Sequence, residues 1–163
     1  MVRRCVLFVV VALMLGSGVG FAQSNNCGVV GTWMHSGDTI WLATNTPGTS
    51  ATAGQMDIEW ITLDPTLGVG LPAVRASNPK GVWEKVNQHE YRITWVAYGL
   101  GANGLPVYVM RGIAMAAMTG CDRADLTAVL EVFGPDQDIW RERPLFAVPM
   151  SESATRMPLV VVK

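Results

Sequence analysis

Hydrophobic and polar residues alternate with a period of two over several short segments of the chain. The segments at residues 56–60, 91–98 and 126–132 each place apolar side chains at every second position. Successive side chains of a β-strand point to opposite faces, so this pattern predicts strands with one apolar and one wetter face. Turn signals separate the segments, and Asn103-Gly104 is typical of a hairpin.

No segment combines a sustained helical period with capping residues, and the pattern predicts about eight to ten strands in one domain. A lone open sheet would expose its edges, so the strands are expected to close on themselves or to stack. Short turns favour closure. The prediction is an all-β fold, an antiparallel up-and-down β-barrel of about eight strands, with a β-sandwich as the alternative.

Several local expectations accompany this fold. The Thr- and Gly-rich segment 44–55 is interpreted as a loop, and the strand expected at 106–118 is interpreted as broken or bent near Gly112. The last apolar, β-branched segments predict strands at 145–148 and 159–162.

The first 22 residues have the layout of a secretory signal peptide. Arg3 and Arg4 precede a short apolar run, and the small residues Gly20 and Ala22 stand at the −3 and −1 positions of a cleavage site. The run is too short to span a bilayer, although an uncleaved anchor remains the alternative. We therefore expect a signal peptide at 1–22, a single domain at 23–163 without an integral membrane span, and a secreted or periplasmic location.

Charge and cysteine content narrow the possible partners. Removing Arg3 and Arg4 from the twelve basic residues leaves ten against thirteen acidic ones, a formal charge of −3, and there is no basic run. Nucleic acid is therefore not an expected partner. Cys27 and Cys121 remain after cleavage and predict one disulfide bond in an oxidising compartment. No metal-ligand spacing is present, so no metal or other cofactor is expected.

Catalytic motifs are absent from the sequence, which contains no G-x-S-x-G, H-E-x-x-H, G-x-G-x-x-G or P-loop pattern. His35 is interpreted as part of a turn, HSGD, and His89 as a loop residue. Neighbours in one turn cannot form a nucleophile–base–orienter triad. Enzymatic activity is left uncertain and is not the favoured interpretation.

Two G-x-W phrases, Gly31-Thr32-Trp33 and Gly81-Val82-Trp83, frame the first half of the predicted meander. With the strand at 91–95 and the Asn103-Gly104 hairpin, this order resembles small exported bacterial proteins of the lipocalin-like (calycin) type. The resemblance implies that Trp33 closes the barrel floor and that Trp83 has a structural role at the start of a strand pair. It also implies that a late arginine packs on Trp33, for which the candidates are Arg141, Arg143 and Arg156.

A barrel of this size either fills its interior or holds one small ligand. The favoured hypothesis is an exported lipocalin-like protein that binds a small apolar molecule without catalysis; its protein partner is unknown. The alternatives are an envelope structural or protein-interaction module, such as an inhibitor, and a barrel isomerase or cyclase. Both phases of 107–116 are apolar, so the direction of Arg111, which would pair with Glu131, is open. The candidate ligand-binding residues are Trp60, Tyr91, Trp95, Met110, Arg111, Met115 and Glu131.

Overall fold

The computed structural model describes residues 27–37 and 39–158, and in this part of the chain the regular elements are all β-strands. The predicted signal peptide, its cleavage site and the strand expected at 159–162 lie outside the described residues. The strands are β1 (Gly31–Ser36), β2 (Ile40–Pro47), β3 (Ala53–Thr62), β4 (Arg75–Ala76), β5 (Lys80–Lys85), β6 (Glu90–Leu100), β7 (Pro106–Met118), β8 (Arg123–Phe133) and β9 (Phe146–Arg156).

Eight of these strands close into an antiparallel barrel. Apart from β4, each strand pairs with the next in the chain, and β9 returns to pair with β1. The two-residue β4 is additional and pairs with the end of β6, Arg75 opposite Leu100. The predicted up-and-down barrel is confirmed, and the sandwich alternative is excluded. Closure pairs strands that would otherwise be sheet edges.

Strand β7 runs without a break through Gly112, so the expected break is wrong. Gly112 lies opposite Trp95 of β6, and a Cβ atom at Gly112 would overlap the Trp95 indole. Glycine here provides space for a large neighbouring side chain, a second common use of glycine within strands. The result is an indole that lies across β7 inside the barrel.

Three other sequence expectations also need correction. The loop expected at 44–55 is a short turn, because β2 continues to Pro47 and β3 begins at Ala53. His35 belongs to β1 rather than to a turn. The strand expected at 145–148 is the beginning of the eleven-residue β9.

The connection between β3 and β4 covers one end of the barrel. The Tyr108 hydroxyl donates a hydrogen bond to the Pro65 carbonyl oxygen at 2.6 Å, and leucines of the connection pack on Tyr108 and Met110. Asp64 accepts hydrogen bonds from the Thr66 hydroxyl and backbone N–H, which lower the pKa of its carboxyl group. These bonds hold the covering turn in shape.

Candidate ligand-binding cavity

Trp33 forms the floor at the opposite end of the barrel. Its Nε1 donates to the Val29 carbonyl oxygen at 2.7 Å, and the guanidinium carbon of Arg156 lies 4.8 Å from the centre of the indole ring. Arg156 also donates to the Gly28 carbonyl oxygen. Of the three arginines left open by the sequence, the structure therefore places Arg156 on Trp33. Burial lowers the pKa of Arg156, against an opposing effect of Asp122 and Tyr91.

Cys27 and Cys121 lie at the distance of a disulfide bond, with Cα atoms 4.3 Å apart and a separation of 94 positions in the chain. Cys27 precedes the segment that supplies Val29 and Gly28 to the floor, and Cys121 lies in the turn between β7 and β8. The pair holds the N-terminal segment against the floor of the barrel.

Above this floor lies a cavity of about 80 Å³ with mainly apolar walls. Alanine supplies much of the wall, at inward positions of β2, β7, β8 and β9. A methyl side chain leaves space that a larger residue would fill, so the interior is not packed to the usual density at this level. The six alanines are Ala43, Ala114, Ala116, Ala124, Ala128 and Ala154.

Three further tryptophans, Trp41, Trp60 and Trp95, supply the aromatic wall of the cavity. Trp41 and Trp60 are register partners on β2 and β3. The rings of Trp60 and Trp95 meet edge to face, with centres 5.7 Å apart, an arrangement that aromatic pairs favour. Strands β2, β3 and β6 therefore each contribute one indole to the cavity wall.

Three polar groups line this apolar cavity. The Trp41 Nε1 donates to Glu152 Oε2 at 2.9 Å. The buried Oδ1 of Asn45 and the buried Nε1 of Trp60 have no hydrogen-bond partner among the described residues. Trp60 is the register partner of Trp41, and Asn45 lies four residues from Trp41 along β2. The two residues that carry unpaired atoms, Asn45 and Trp60, therefore lie at levels about 13 Å apart along the strands. A buried polar group without a partner is costly, and neither of these two atoms is accessible to solvent, so each remains a cost to the folded state.

Of the sequence candidates, Trp60 and Trp95 line the cavity. Tyr91 is buried near the floor, where its ring meets Trp83 edge to face at 5.9 Å. The Trp83 Nε1 donates to the Thr46 carbonyl oxygen at 3.1 Å. Met110 is buried in the cluster beneath the covering connection at the other end. Tyr91 and Met110 therefore pack at the ends of the cavity rather than along its wall.

Arg111, Met115 and Glu131 point away from the cavity. Ala114 and Ala116 of β7 face the interior, so the alternate positions 111 and 115 face outward. Arg111 Nε donates to Glu131 Oε2 at 2.6 Å, which makes the pair that the sequence suggested, but on the outer face. These three residues are therefore removed from the set of cavity contacts.

The outer pair is covered by the connection between β8 and β9. The Arg111 guanidinium carbon lies 5.0 Å from the centre of the Phe133 ring and 5.3 Å from that of Trp140, and the side chain donates to the Ile139 carbonyl oxygen. This covering accounts for the low exposure of Arg111 on the outward phase of β7, whereas Ile113 of the same phase is exposed.

Sequence reasoning missed Trp41, Asn45 and Glu152 as cavity residues. Trp41 and Asn45 share a phase on β2, but part of that strand was interpreted as a loop. Glu152 lies on β9 in the segment MSESATR, whose alternation has little apolar contrast. A search for period-two alternation of small with polar residues would have found this strand.

Among residues 27–37 and 39–158, no group of three or more His, Cys, Asp and Glu side chains is placed to hold a metal ion. The same residues include no helix long and apolar enough to cross a membrane. No protein-family model matches this chain, and searches for similar curated proteins and for similar solved structures found no significant match.

Proposed function

We propose that this chain is an exported lipocalin-like protein that binds a small apolar ligand inside its barrel and does not catalyse a reaction on it. The observation that carries the proposal is the cavity between the Trp33 floor and the Trp60–Trp95 pair, with its alanine-lined wall and few polar groups. Binding sites for small molecules commonly have this composition, apolar walls with a few polar groups that orient the ligand.

The volume limits the size of the ligand. Drug-sized ligands occupy pockets of roughly 300 Å³ or more, and an engineered apolar cavity of about 150 Å³ binds benzene. A cavity of about 80 Å³ therefore suits a short branched chain or the edge of one ring. A long-chain lipid would have to leave most of its length outside.

Non-catalytic binding is supported by the ionisable groups near the cavity. An isomerase or cyclase would require ionisable side chains inside the barrel, and Arg111 and Glu131 lie outside it. Among the described residues, Glu152 is the only ionisable side chain that lines the cavity. A single carboxylate that accepts a hydrogen bond from Trp41 is better suited to binding than to paired acid–base chemistry.

Export is supported by the cysteine pair at disulfide distance, because such bonds persist in oxidising compartments. We place the protein in the periplasm or outside the cell. Recovery of the chain in the cytosolic fraction with both thiols reactive would contradict this location.

Titration with two neutral probes, toluene and isobutanol, tests binding directly. We expect saturable NMR shifts of the Ala114, Ala116 and Trp60 resonances. Ala116→Leu should weaken binding at least about tenfold by filling the cavity. Ala117→Leu is the matched control, since its side chain adjoins position 116 and points outward.

Native mass spectrometry of protein purified from its own envelope provides a second readout, because a resident small molecule should co-purify with the folded chain. Equal binding by the Ala116→Leu and Ala117→Leu proteins, or no saturable shift with either probe, would overturn the proposal.

A further inference from the structure

We propose that the cavity selects a small organic cation, a protonated amine or a quaternary ammonium on a short apolar body, with Glu152 as its counter-charge. This inference rests on the proposed function, because it specifies the ligand of the same cavity. It is carried by the combination of one carboxylate with the three tryptophans Trp41, Trp60 and Trp95.

The Glu152 carboxylate would supply the negative charge that such a ligand needs. Glu152 is half-buried, and it forms no ion pair within residues 27–37 and 39–158. Its Oε2 accepts one hydrogen bond, from Trp41 Nε1. A partly buried carboxylate is stabilised by a paired cation, and an ionised carboxylate can only accept hydrogen bonds. A protonated amine would supply both the charge and the donors, and a quaternary ammonium would supply the charge alone.

The three indoles of the cavity wall also favour a cation. The face of a tryptophan ring is negative and attracts ammonium groups, and desolvated sites strengthen this attraction. Trp41 joins Glu152 to the aromatic wall, because it bonds the carboxylate and lies opposite Trp60 in the register. An ammonium beside Glu152 would therefore lie next to an aromatic surface, with its apolar body directed toward the alanines.

Two partly buried arginines among the described residues have partners away from Glu152. Arg156 packs on Trp33 at the floor and bonds the Gly28 carbonyl oxygen, and Arg111 is paired with Glu131 on the outer face. His35 of β1 contacts the Trp41 indole. Its ring stacks on Trp41 with centres 5.4 Å apart, and its Nδ1 donates to the Ser153 carbonyl oxygen at 2.7 Å.

Glu152 also lies at a weak seam of the barrel. β1 and β9 pair through two residue pairs, Trp33 with Arg156 and Met34 with Thr155. The β9 residues before this seam, including Met150 and Glu152, line the cavity and remain partly exposed. A ligand that enters here would meet the carboxylate first.

The test compares isobutylammonium with its uncharged near-isostere isobutanol, by NMR titration of the full exported protein at pH 7. Alkylamines of this kind are protonated at that pH, as the lysine side chain is. We expect isobutylammonium to bind at least about tenfold more tightly. Glu152→Gln should remove most of this preference and leave the affinity for isobutanol within about twofold. Glu59→Gln is the control, since Glu59 is an exposed carboxylate on β3.

Equal or tighter binding of isobutanol by the unaltered protein would overturn the cation proposal and leave the apolar binding function intact. Absence of binding by isobutylammonium, isobutanol and toluene alike would overturn both. The comparison of the two probes on the unaltered protein decides the question even if Glu152→Gln does not fold. A preference for the amine that persists in folded Glu152→Gln would overturn the role of Glu152.

Discussion

The guanidinium of Arg156 lies over the indole of Trp33, with 4.8 Å between the guanidinium carbon and the ring centre. Trp33 is in the first strand and Arg156 ends the last, and the two are direct register partners. The contact thus joins the first strand of the barrel to the last, at the floor. Because β1 and β9 share few ladder pairs, this side-chain contact is expected to matter for closure.

Arg156→Lys should therefore destabilise the barrel. Lysine keeps the charge but loses the planar stacking and the geometry that reaches the Gly28 carbonyl. We expect a loss of about 1–2 kcal/mol in the free energy of unfolding, measured by urea denaturation. Arg123→Lys, at an exposed position of β8 near the same end, should change it by less than about 0.5 kcal/mol. Equal losses of unfolding free energy in Arg156→Lys and Arg123→Lys would show that the stacking of Arg156 on Trp33 does not stabilise the barrel.

The cysteine pair should contribute more than any single side-chain contact at the floor. Cys27 and Cys121 are 94 positions apart in the chain, and on the chain-entropy account closing such a loop stabilises by about 4–5 kcal/mol. Replacing both cysteines by serine should lower the free energy of unfolding by about 2–5 kcal/mol. Thiol labelling of the folded, unreduced protein should find neither cysteine free. If a reductant lowers the free energy of unfolding of the double-serine variant as much as that of the parent, the stabilisation does not come from a disulfide bond.

Gly112→Ala should disturb the cavity directly. The added methyl group would overlap the Trp95 ring, so the indole must move or the strands must separate. Overpacking of this kind costs about 1–3 kcal/mol, and the Trp95 indole N–H resonance should shift. Gly120→Ala is the control, since its Cβ would meet only Asp122 Oδ1, at 3.4 Å. An unchanged Trp95 resonance in the folded variant would show that the glycine is not needed for this packing.

The barrel could be predicted from the sequence because its strands alternate clearly and its turns are short. The sequence could not predict which face of β7 points into the barrel, because both faces are apolar. Ala114 and Ala116 face the cavity, while Arg111 is covered from outside by Trp140. A local pattern cannot reveal a covering segment that comes from a distant part of the chain.

The cavity itself was also beyond the sequence. It results from alanines brought together from four strands, and no single alanine indicates an empty space. Glu152 was missed because the inward face of β9 borders this space instead of a packed core. Its neighbours therefore lack the large apolar residues that identify a buried strand.

The stability of the protein should depend on the ionisation of Tyr108 at alkaline pH. Burial first, and the charge of Asp64 second, raise the pKa of Tyr108 above its ordinary value of 10.0. A raised pKa in the folded state means that this group contributes stability fully below about pH 10, and loses it as the pH rises through the folded value.

Tyr108→Phe should remove this dependence. At neutral pH the variant loses the hydrogen bond to Pro65, a cost of about 1 kcal/mol. The difference in the free energy of unfolding between the parent and the variant should then shrink above about pH 10. Tyr98→Phe, at a 44% exposed position, should leave the pH profile unchanged. A constant difference between the Tyr108→Phe and parent curves up to pH 12 would refute the assignment to Tyr108.

Two cross-strand ion pairs allow the effect of burial on charge to be measured within one barrel. Arg111 and Glu131 are 13% and 17% exposed and covered by Trp140, whereas Arg92 and Glu84 are 55% and 56% exposed. Removing one partner of a buried pair leaves the other charge uncompensated, whereas exposed pairs are screened by water.

Double-mutant cycles on the two pairs should therefore differ. With Arg111→Met and Glu131→Gln, we expect each single change to cost about 2–4 kcal/mol and the coupling energy to reach about 1–3 kcal/mol. The same cycle on Arg92 and Glu84 should give a coupling below about 1 kcal/mol. Raising the salt concentration should weaken the exposed coupling and change the covered one less, because screening acts mainly through solvent. Equal couplings with equal salt dependence would mean that the 134–145 connection does not shield Arg111 in solution.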